Sequence, residues 1–217
     1  AIEMVHADAL QIHLNVVQEL TMPEGDRDFS GALTRIGKIV DAVDTPVIIK
    51  ETGFGMGYET IEKLISTGVQ AVDISGFGGT NFAMIENRRR ENQLSFFDDW
   101  GIPTVVSLVE ARHVSESFPV IASGGIQNSH DIAKALALGA NAVGLAGHVL
   151  RKLLDHGLDE TMKEINQIHS ELTMMMTALG TKTIEELKNA PILISGDVWH
   201  RLNERGIDTK KFSLRKK

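Results

Sequence analysis

The chain has 217 residues, a formal net charge of −7 and no cysteine. That length suits one domain, or one domain with an appendage. The negative charge argues against nucleic acid as a main partner, because phosphate contacts need a basic surface. The lack of cysteine excludes disulfides, thiolate metal sites and a cysteine nucleophile, and it agrees with a cytoplasmic location. No stretch approaches the ~18 consecutive apolar residues that a membrane span needs.

The first strand is predicted near the start of the chain. The segment ALQIHLN (9–15) is an apolar, strand-like run, and EMVHADA (3–9) before it has the pattern of a helix end. A helix that leads directly into a strand normally follows another strand. The pattern therefore predicts that the native protein extends further at its N-terminus.

Four later runs share one design, in which an apolar, β-branched stretch ends in a group of glycines. Continuous apolar runs without alternation indicate strands that are covered on both faces, as in parallel sheets. Amphipathic helical patterns lie between them, and Asn128 or Ser129 is the predicted N-cap of the helix between the last two. The four runs are PVIIKETGFG (46–55), AVDISGFGGT (71–80), PVIASGGI (119–126) and AVGLAG (142–147).

One segment, GIPTVVSLVEARHV (101–114), fits either a strand at TVVSL or a helix that begins after Pro103. We favour the helix, because it gives one helix per strand throughout. Five strands in strict β/α alternation indicate a parallel α/β fold. Repeats of roughly 25 residues with glycine at the C-terminal end of each strand favour a (β/α)8 TIM barrel. A complete barrel needs about 250 residues, so we expect the C-terminal part of one, with about five β/α units and C-terminal helices.

Two regions are predicted, a barrel portion at residues 1–155 and a helical extension at residues 156–217. The extension contains a long helix whose apolar side chains recur at spacings of three and four, and such a stripe needs cover. The barrel itself or a neighbouring subunit would provide it, so the stripe predicts a homo-oligomer. Its members are Leu158, Met162, Ile165, Ile168, Leu172, Met175 and Leu179.

Two glycine clusters follow the last two strands, SGGI (123–126) and LAGHVL (145–150). In such barrels the functional groups collect at the C-terminal ends of strands and in the loops beyond. Glycines at a helix N-terminus let backbone N–H groups approach an anion, and the last two βα loops are a frequent phosphate site. One cluster alone would favour tight turns as the explanation. Two clusters on adjacent strands favour a phosphate-binding site.

Lys50 closes the strand VIIK (47–50). A lysine at a strand end is most often solvated. Beside a phosphate site, however, a fixed ammonium would stabilise negative charge on an electron-rich ring system. Ser75 and Thr80 flank the next glycine group, where donation to a cofactor and capping of a turn both remain open.

Four polar residues stand at the end of the first strand: His13, Asn15, Gln18 and Glu19. His13 and Asn15 are two residues apart and share one face of the strand, and Gln18 and Glu19 begin the loop beyond it. Glu19 would suit a hard divalent cation, which prefers oxygen ligands and often bridges to a substrate phosphate. Each residue alone is more often structural, but four at one barrel mouth indicate a binding site.

Two charged segments are interpreted as solvent-exposed rather than functional. RRR (88–90) is bordered by glutamates, and EGDRD (24–28) mixes both signs of charge. The other histidines show no spacing of the kind that metal sites have.

Taken in order, these motifs resemble the type II isopentenyl-diphosphate isomerases, which are FMN-dependent barrels that interconvert isopentenyl and dimethylallyl diphosphate. The matching segments span nearly the whole chain and their joint order is highly specific, whereas SGGI alone would indicate only a flavin-binding barrel. The segments are HLNVVQE (13–19), PVIIKETGFG (46–55), DISGFGGTN (73–81), WGIPT (100–104), IASGGI (121–126) and GLAG (144–147).

The resemblance implies a role for each matching residue. Gln18 would touch the substrate near the reacting carbons, and His13 and Asn15 would help to position it, so these three are the implied catalytic residues. Glu19 would bind the Mg²⁺ that meets the diphosphate. The implied flavin contacts are Lys50, Ser75 and Thr80 for the flavin itself and Gly124, Gly125, Ile126, Ala146 and Gly147 for its phosphate.

The resemblance also implies the cofactors FMN, Mg²⁺ and NADPH. In this family reduced FMN is thought to supply acid–base chemistry without net redox change, and NADPH would serve only to reduce the flavin. Lys50 would stabilise the negative charge of reduced flavin. The family's N-terminal part, which supplies further FMN contacts and an Arg-Lys pair for the diphosphate, has no counterpart here. A truncated fragment that is inactive or fails to bind FMN therefore remains an alternative.

A second alternative is an FMN-dependent oxidoreductase of the α-hydroxy-acid oxidase type on the same barrel. Those enzymes carry a histidine base in an HGGR-like stretch. The corresponding stretch here, GFGGTN (76–81), has neither histidine nor arginine, which argues against hydride removal from a hydroxy acid. Nucleotide-oxidising barrels related to inosinate dehydrogenase need a cysteine nucleophile, which the chain lacks.

Overall fold

The computed structural model describes residues 2–216. Five parallel strands form one sheet in the order β1-β2-β3-β4-β5, so each strand lies beside its neighbours in sequence. This sequential order is that of a (β/α)8 barrel, whereas a doubly wound sheet reverses at a switch point. The predicted fold, five consecutive strands of a TIM barrel, is confirmed. The strands are β1 (Leu10–Leu14), β2 (Val47–Glu51), β3 (Ala71–Asp73), β4 (Val120–Ala122) and β5 (Ala142–Val143).

Helices connect the strands and cover the sheet. The helix predicted after Pro103 is confirmed, since it begins at Thr104 and its middle is buried. Asn128 is the N-cap of the helix before β5, and its Oδ1 accepts from the N–H of Asp131 at 2.9 Å. The helices are α1 (Ile2–Val5), α2 (Val16–Thr21), α3 (Ala32–Ala42), α4 (Tyr58–Ile65), α5 (Phe82–Asn87), α6 (Thr104–Val114), α7 (Ser129–Ala137), α8 (Gly147–Ala178), α9 (Ile184–Lys188), α10 (Gly196–Glu204) and α11 (Lys210–Ser213).

The core lies between the sheet and its helices, because the central strands are apolar on both faces. Ile49, Val72 and Val120 are fully buried, and removing a side chain of this size from water contributes about 1.5–3 kcal/mol. Ile61 on α4 and Leu108 on α6 belong to the same cluster. This packing fixes the strand ends from which the site is built.

The register of the sheet brings the C-terminal ends of the strands to one edge. His13 lies opposite Lys50, and Lys50 lies opposite Asp73. Asp73 in turn lies opposite Ile121 in β4. Successive side chains of a strand point to opposite faces, so Glu51 faces away from Lys50.

The long helical segment α8 is broken at Gly157, which has φ 79° and ψ 178°. In a straight helix, His148 and Glu164 would be about 24 Å apart, at 1.5 Å per residue. Instead, the imidazole of His148 contacts the carboxylate of Glu164 directly. The break therefore folds the first part of α8 against the second.

The predicted apolar stripe of α8 is covered only in part. Ile168 and Leu172 pack against the barrel core, whereas Leu158 and Met162 are exposed. The helices that follow, α9 and α10, contact α7 and α6. The predicted division into a barrel and an extension at 156–217 stays a prediction. Within the described part of the chain, no helix has both the length and the apolar content required to cross a lipid bilayer.

Candidate active site

The strand ends and the loops after them surround a cavity of about 830 Å³, which we call the strand-end cavity. Cavities that bind small molecules and cofactors typically measure about 300–1,000 Å³. Asn15, Glu19 and Ser75 do not line it. The predicted site residues that do line it are His13, Gln18, Lys50, Thr80, Gly124, Gly125, Ile126, Ala146 and Gly147.

Lys50 supplies a positive charge to the wall of the strand-end cavity. Its Nζ lies 3.3 Å from Oδ2 of Asp73 and donates to the backbone oxygen of Glu51 at 3.0 Å. The other carboxylate oxygen of Asp73 accepts from the Ser123 hydroxyl at 2.6 Å. The ammonium is therefore held by the carboxylate of Asp73 on the adjacent strand and by the backbone of Glu51 on its own strand. Asp73 and Ser123 also line the cavity.

The end of β1 differs from the prediction. The strand ends at Leu14 and the chain turns into α2, so Gln18 and Glu19 lie in a helix and not in a loop. Strand alternation stops at that turn, and for this reason His13 lines the strand-end cavity while Asn15 does not. Asn15 is instead the N-cap residue of α2, and its amide donates to Oε1 of Glu19 at 2.8 Å.

Gln18 is anchored by a residue that the sequence analysis missed. Its Nε2 donates to Oε1 of Glu86 on α5 at 3.2 Å. Glu86 is buried, its Oε2 accepts from Nη1 of Arg89 at 2.6 Å, and Arg89 also pairs with Glu24. Arg89 is nevertheless half exposed, which agrees with the interpretation of RRR (88–90) as a solvated run. No local pattern announces such a contact, because its partners are 68 residues apart.

Gly124 and Gly125 are required by the close packing of two loops. Their φ angles are 100° and 72°, a region that glycine alone adopts at low cost. A Cβ on Gly124 would lie 2.0 Å from the oxygen of Gly76, and one on Gly125 would lie 2.6 Å from the oxygen of Gly78. Loop packing thus explains why these positions are glycine. Both residues also line the strand-end cavity, so their backbone is accessible to a ligand.

Helix α8 begins at the rim of the strand-end cavity. Its first hydrogen bond runs from the N–H of Leu150 to the oxygen of Ala146 at 2.9 Å, so the N–H groups of Gly147 and His148 precede the helical ladder. Such groups, together with the helix dipole, favour an anion. His148 and Arg151, which the sequence analysis did not select, line the cavity as well. This end of the cavity fits a phosphate group.

Three hydroxyl residues of the region behave differently. Thr80 lines the strand-end cavity, whereas Ser75 is buried at φ 32° and its N–H donates to Oδ1 of Asp73 at 3.2 Å. Thr52, which was not predicted, lines the cavity, and its buried Oγ1 has no hydrogen-bond partner among residues 2–216. Leaving a buried hydroxyl unpaired costs roughly 1–3 kcal/mol. Thr52 therefore marks a place for a polar group of a ligand.

Glu19, the predicted metal ligand, lies beside the strand-end cavity. Its carboxylate accepts from the N–H of Asp26 at 3.0 Å and from Asn15, and these two hydrogen bonds, in that order, lower the pKa of Glu19. In the part of the chain that is described, no group of three or more His, Asp or Glu side chains forms a metal site by itself. Mg²⁺ commonly binds one or two carboxylates together with substrate phosphates. Glu19 fits Mg²⁺ only jointly with such a substrate.

The residue after the cavity lysine, Glu51, points to the opposite face and is buried. Its Oε2 accepts from the N–H groups of Gly53, Phe54 and Gly55 at 2.6, 2.5 and 3.2 Å. Burial raises the pKa of Glu51 to about 7, against the lowering effect of these N–H groups. Glu51 and Trp100 line a second cavity of about 580 Å³. The carboxyl group thus holds the loop that follows β2.

A cation at one strand end and a helix N-terminus at another define an anion-binding site of cofactor size on a β/α barrel. Residues 13–194 match the family model described as FMN-dependent dehydrogenase. Because the match extends over most of the sequence, the chain belongs to the FMN-dependent dehydrogenase family.

Within that family, the chain is similar to curated proteins named isopentenyl-diphosphate delta-isomerase. It is 55% identical over 215 residues to the protein of Geobacillus sp. (strain WCH70), which covers 99% of this chain and 62% of the relative. It is 56% identical over 218 residues to that of Bacillus pumilus (strain SAFR-032), with 99% and 61% covered. The resemblance to the FMN-dependent isomerases is confirmed. The chain spans less than two thirds of the length of these relatives.

Solved structures share the fold at low sequence identity. A lactate oxidase of Pediococcus acidilactici superposes with a TM-score of 0.66 at 22% identity, covering 89% of this chain and 56% of that one. A flavocytochrome b2 gives 0.63 at 23% identity, with 92% and 53% covered. These similarities support the barrel architecture and say nothing about the reaction.

Proposed function

We propose that the chain forms the FMN- and substrate-binding part of an isomerase that interconverts isopentenyl and dimethylallyl diphosphate in isoprenoid biosynthesis. The observation that carries the proposal is that Lys50, Gln18 and the start of α8 line one cavity. The name of the relatives at 55% and 56% identity supplies the reaction.

The strand-end cavity fits FMN at both of its ends. The start of α8 fits the phosphate, because free N–H groups and Arg151 face it. Lys50 fits the ring system, since reduced flavin carries negative charge that an ammonium stabilises. The unpaired hydroxyl of Thr52 fits a polar ligand group. The proposed contacts are Lys50 and Thr80 for the flavin and Gly124, Gly125, Ile126, Ala146 and Gly147 for its phosphate; Ser75, whose N–H donates to Asp73, would act indirectly.

The substrate would lie beside the end of β1 and the start of α2. Gln18 and His13 reach the strand-end cavity and would contact the reacting part of the isoprenoid. Asn15 would act through Glu19, to which its amide donates. Glu19 would share a Mg²⁺ ion with the diphosphate, which supplies further oxygen ligands.

Moving a double bond by one carbon requires a proton to be added at one carbon and removed from another. Reduced FMN, formed with NADPH, would supply this acid–base chemistry without net redox change. The chain has its own tasks in the reaction. Lys50 stabilises negative charge, and Gln18 orients the isoprenoid through an amide fixed by Glu86.

A direct test combines cofactor binding and turnover. The purified chain is mixed with FMN, and bound flavin is measured by its absorbance, which bleaches on reduction. Isopentenyl diphosphate, Mg²⁺ and NADPH are then added, and dimethylallyl diphosphate is measured by mass spectrometry. Conversion that requires FMN and Mg²⁺ and is lost in Lys50→Met supports the proposal. Lys38→Met, which removes an exposed lysine on α3, is the matched control and is expected to behave as wild type.

The same experiment contains the outcome that contradicts the proposal. A chain that binds FMN and neither binds nor converts isopentenyl diphosphate is not the substrate-binding part of the isomerase. A chain that binds no FMN contradicts the cofactor assignment as well.

The family description favours one second candidate, an FMN-dependent oxidoreductase of the α-hydroxy-acid oxidase type. The loop after β3 speaks against it, because the cavity is lined there by Gly78, Gly79 and Thr80 and by no histidine or arginine of that loop. Bleaching of bound FMN by lactate or mandelate, without conversion of isopentenyl diphosphate, would favour this candidate.

Assembly into a homo-oligomer belongs to the same proposal. Leu150, Leu153 and Leu154 precede the break in α8 and are 56%, 40% and 75% exposed, and neighbouring exposed apolar side chains of this kind favour association. Light scattering of the purified chain measures the number of subunits. A cytoplasmic location stays a prediction.

A further inference from the structure

Asp73 lies between Lys50 and Ser123 in the wall of the strand-end cavity. Its side chain is 10% exposed, one oxygen lies 3.3 Å from Nζ of Lys50, and the other accepts from the Ser123 hydroxyl at 2.6 Å and from the N–H of Ser75 at 3.2 Å. The carboxylate therefore cannot swing away from Lys50 without losing two hydrogen bonds. The residue was not among those selected from the sequence.

The pair of Lys50 and Asp73 decides how much positive charge the cavity offers to a ligand at the strand ends. Asp73 is the carboxylate among the residues that line the cavity; the other titratable lining residues are His13, His148 and Arg151. Arg151 and His148 belong to the start of α8, whereas Lys50 and Asp73 are paired at the ends of β2 and β3. An ammonium with a carboxylate beside it attracts an anion less strongly than an ammonium alone.

We propose that Asp73 is a positioning residue that fixes the Lys50 ammonium and limits the positive charge presented to the bound flavin, so that it sets the preference of the site for reduced over oxidised FMN. This inference rests on the proposed function, in which FMN occupies the strand-end cavity. Charge close to the flavin ring is one of the means by which proteins tune this cofactor.

The exchange Asp73→Asn separates the charge of Asp73 from its shape. An asparagine keeps an oxygen that accepts from Ser75 and Ser123, while the negative charge beside Lys50 is lost. A purely structural role predicts little change in this variant. The charge-limiting role predicts that the ratio of the two dissociation constants, oxidised over reduced FMN, rises about tenfold, which for a two-electron couple corresponds to a rise in potential of about 30 mV. Asp41→Asn, which removes an exposed carboxylate on α3, is the matched control and leaves the ratio within about twofold.

A second measurement needs no flavin. Acetic anhydride modifies amines that it can reach, and the Lys50 amine is engaged by Asp73 and by the backbone oxygen of Glu51, so it is expected to react slowly. The rate at Lys50 relative to exposed Lys38, measured by mass spectrometry on the ligand-free chain, is expected to rise at least about threefold in Asp73→Asn and to stay constant in Asp41→Asn. Ser123→Ala retains the charge and removes one anchor of Asp73. It is expected to shift both readouts in the same direction by a smaller factor, and it replaces Asp73→Asn if that variant does not fold.

The outcomes separate this inference from the proposed function. Unchanged labelling of Lys50 in a folded Asp73→Asn protein overturns the positioning role. Changed labelling with an unchanged or lower affinity ratio overturns the charge-limiting role while FMN binding still stands. A wild-type chain that binds neither form of FMN overturns the proposed function and the flavin preference together, and the labelling rates then decide whether Asp73 holds Lys50.

Discussion

The amide nitrogen of Gln18 and a carboxylate oxygen of Glu86 lie 3.2 Å apart, although 68 residues separate them in the sequence. Gln18 lines the strand-end cavity, and Glu86 is buried behind it on α5. The contact commits the NH₂ group of Gln18, so that its carbonyl oxygen is the amide atom left for a ligand. A residue of α5, just before the charged segment RRR (88–90), thus controls the orientation of a side chain at the site.

The exchange Glu86→Gln is expected to lower kcat for isopentenyl diphosphate by about tenfold to a hundredfold. The reason is that a hydrogen bond to a charged group contributes about 1.5–3 kcal/mol, and the loss applies to the orientation of Gln18. Affinity for FMN, measured by absorbance titration, stays within about twofold because Glu86 does not line the cavity. Glu91→Gln, which removes an exposed carboxylate shortly after α5, is the control. Wild-type kcat in Glu86→Gln would contradict the role given to this contact.

Two glycine exchanges separate loop packing from backbone conformation. Gly125 and Gly196 have φ angles of 72° and 63°, but a Cβ on Gly125 meets the oxygen of Gly78 at 2.6 Å and one on Gly196 meets nothing within 4 Å. Gly196→Ala is therefore expected to lower the free energy of unfolding by about 1–2 kcal/mol. Gly125→Ala adds overpacking and should cost about 1–3 kcal/mol more. Urea denaturation measures both, and equal losses would show that the loop contact is unimportant.

The buried carboxyl group of Glu51 is expected to make the free energy of unfolding depend on pH. Its pKa in the folded chain is about 7 against an ordinary value of 4.5, so the folded state holds the proton more tightly than the unfolded state. Stability from this group is therefore highest below about pH 4.5, falls as the pH rises toward about 7, and is constant above that value. The full difference is about 3 kcal/mol. In Glu51→Gln, the free energy of unfolding should lose this slope between about pH 4.5 and pH 7, while a slope equal to wild type would contradict the assignment.

Replacing either of two helical glycines by alanine is expected to change the free energy of unfolding in opposite directions. Gly157 has φ 79° and ψ 178°, a conformation nearly restricted to glycine, so Gly157→Ala should lower the free energy of unfolding by about 1–3 kcal/mol. Gly37 lies inside α3 with open space around it, and Gly37→Ala should raise it by about 0.5–1 kcal/mol. Thermal unfolding of both variants provides the measurement. Two changes of the same sign would argue against the break as an obligatory feature.

The order of strands and helices was predictable because each element has a local sequence pattern. Continuous apolar runs mark strands such as VIIK (47–50), in which Val47 and Ile49 are buried and Ile48 and Lys50 are half-buried. The position of Pro103 correctly indicated a helix after it. The parallel order then follows from one helix per strand. These patterns depend only on neighbouring residues, so they can be recognised in a single sequence.

The sequence indicated which residues line the cavity where they stand on strands, because their side chains alternate. It did not do so where the backbone turns. His13 and Lys50 reach the cavity because both stand on strands. Asn15 does not, since β1 ends one residue earlier, and Ser75 is turned inward by its positive φ. Asp73 carries the same alternation as Lys50, so attention to register alone could have found it. Contacts between residues far apart in the sequence, such as that of Gln18 with Glu86, produce no local pattern that could predict them.

The reversal of α8 at Gly157 gives the far end of the chain a part in the ligand site. His148 at the cavity rim pairs with Glu164, and Lys152 approaches the same carboxylate at 3.3 Å. Replacing Glu164 by glutamine would keep all five strands and yet present a more cationic entrance, because the negative charge beside these two side chains would be gone. A residue beyond the reversal would thus alter which anions enter.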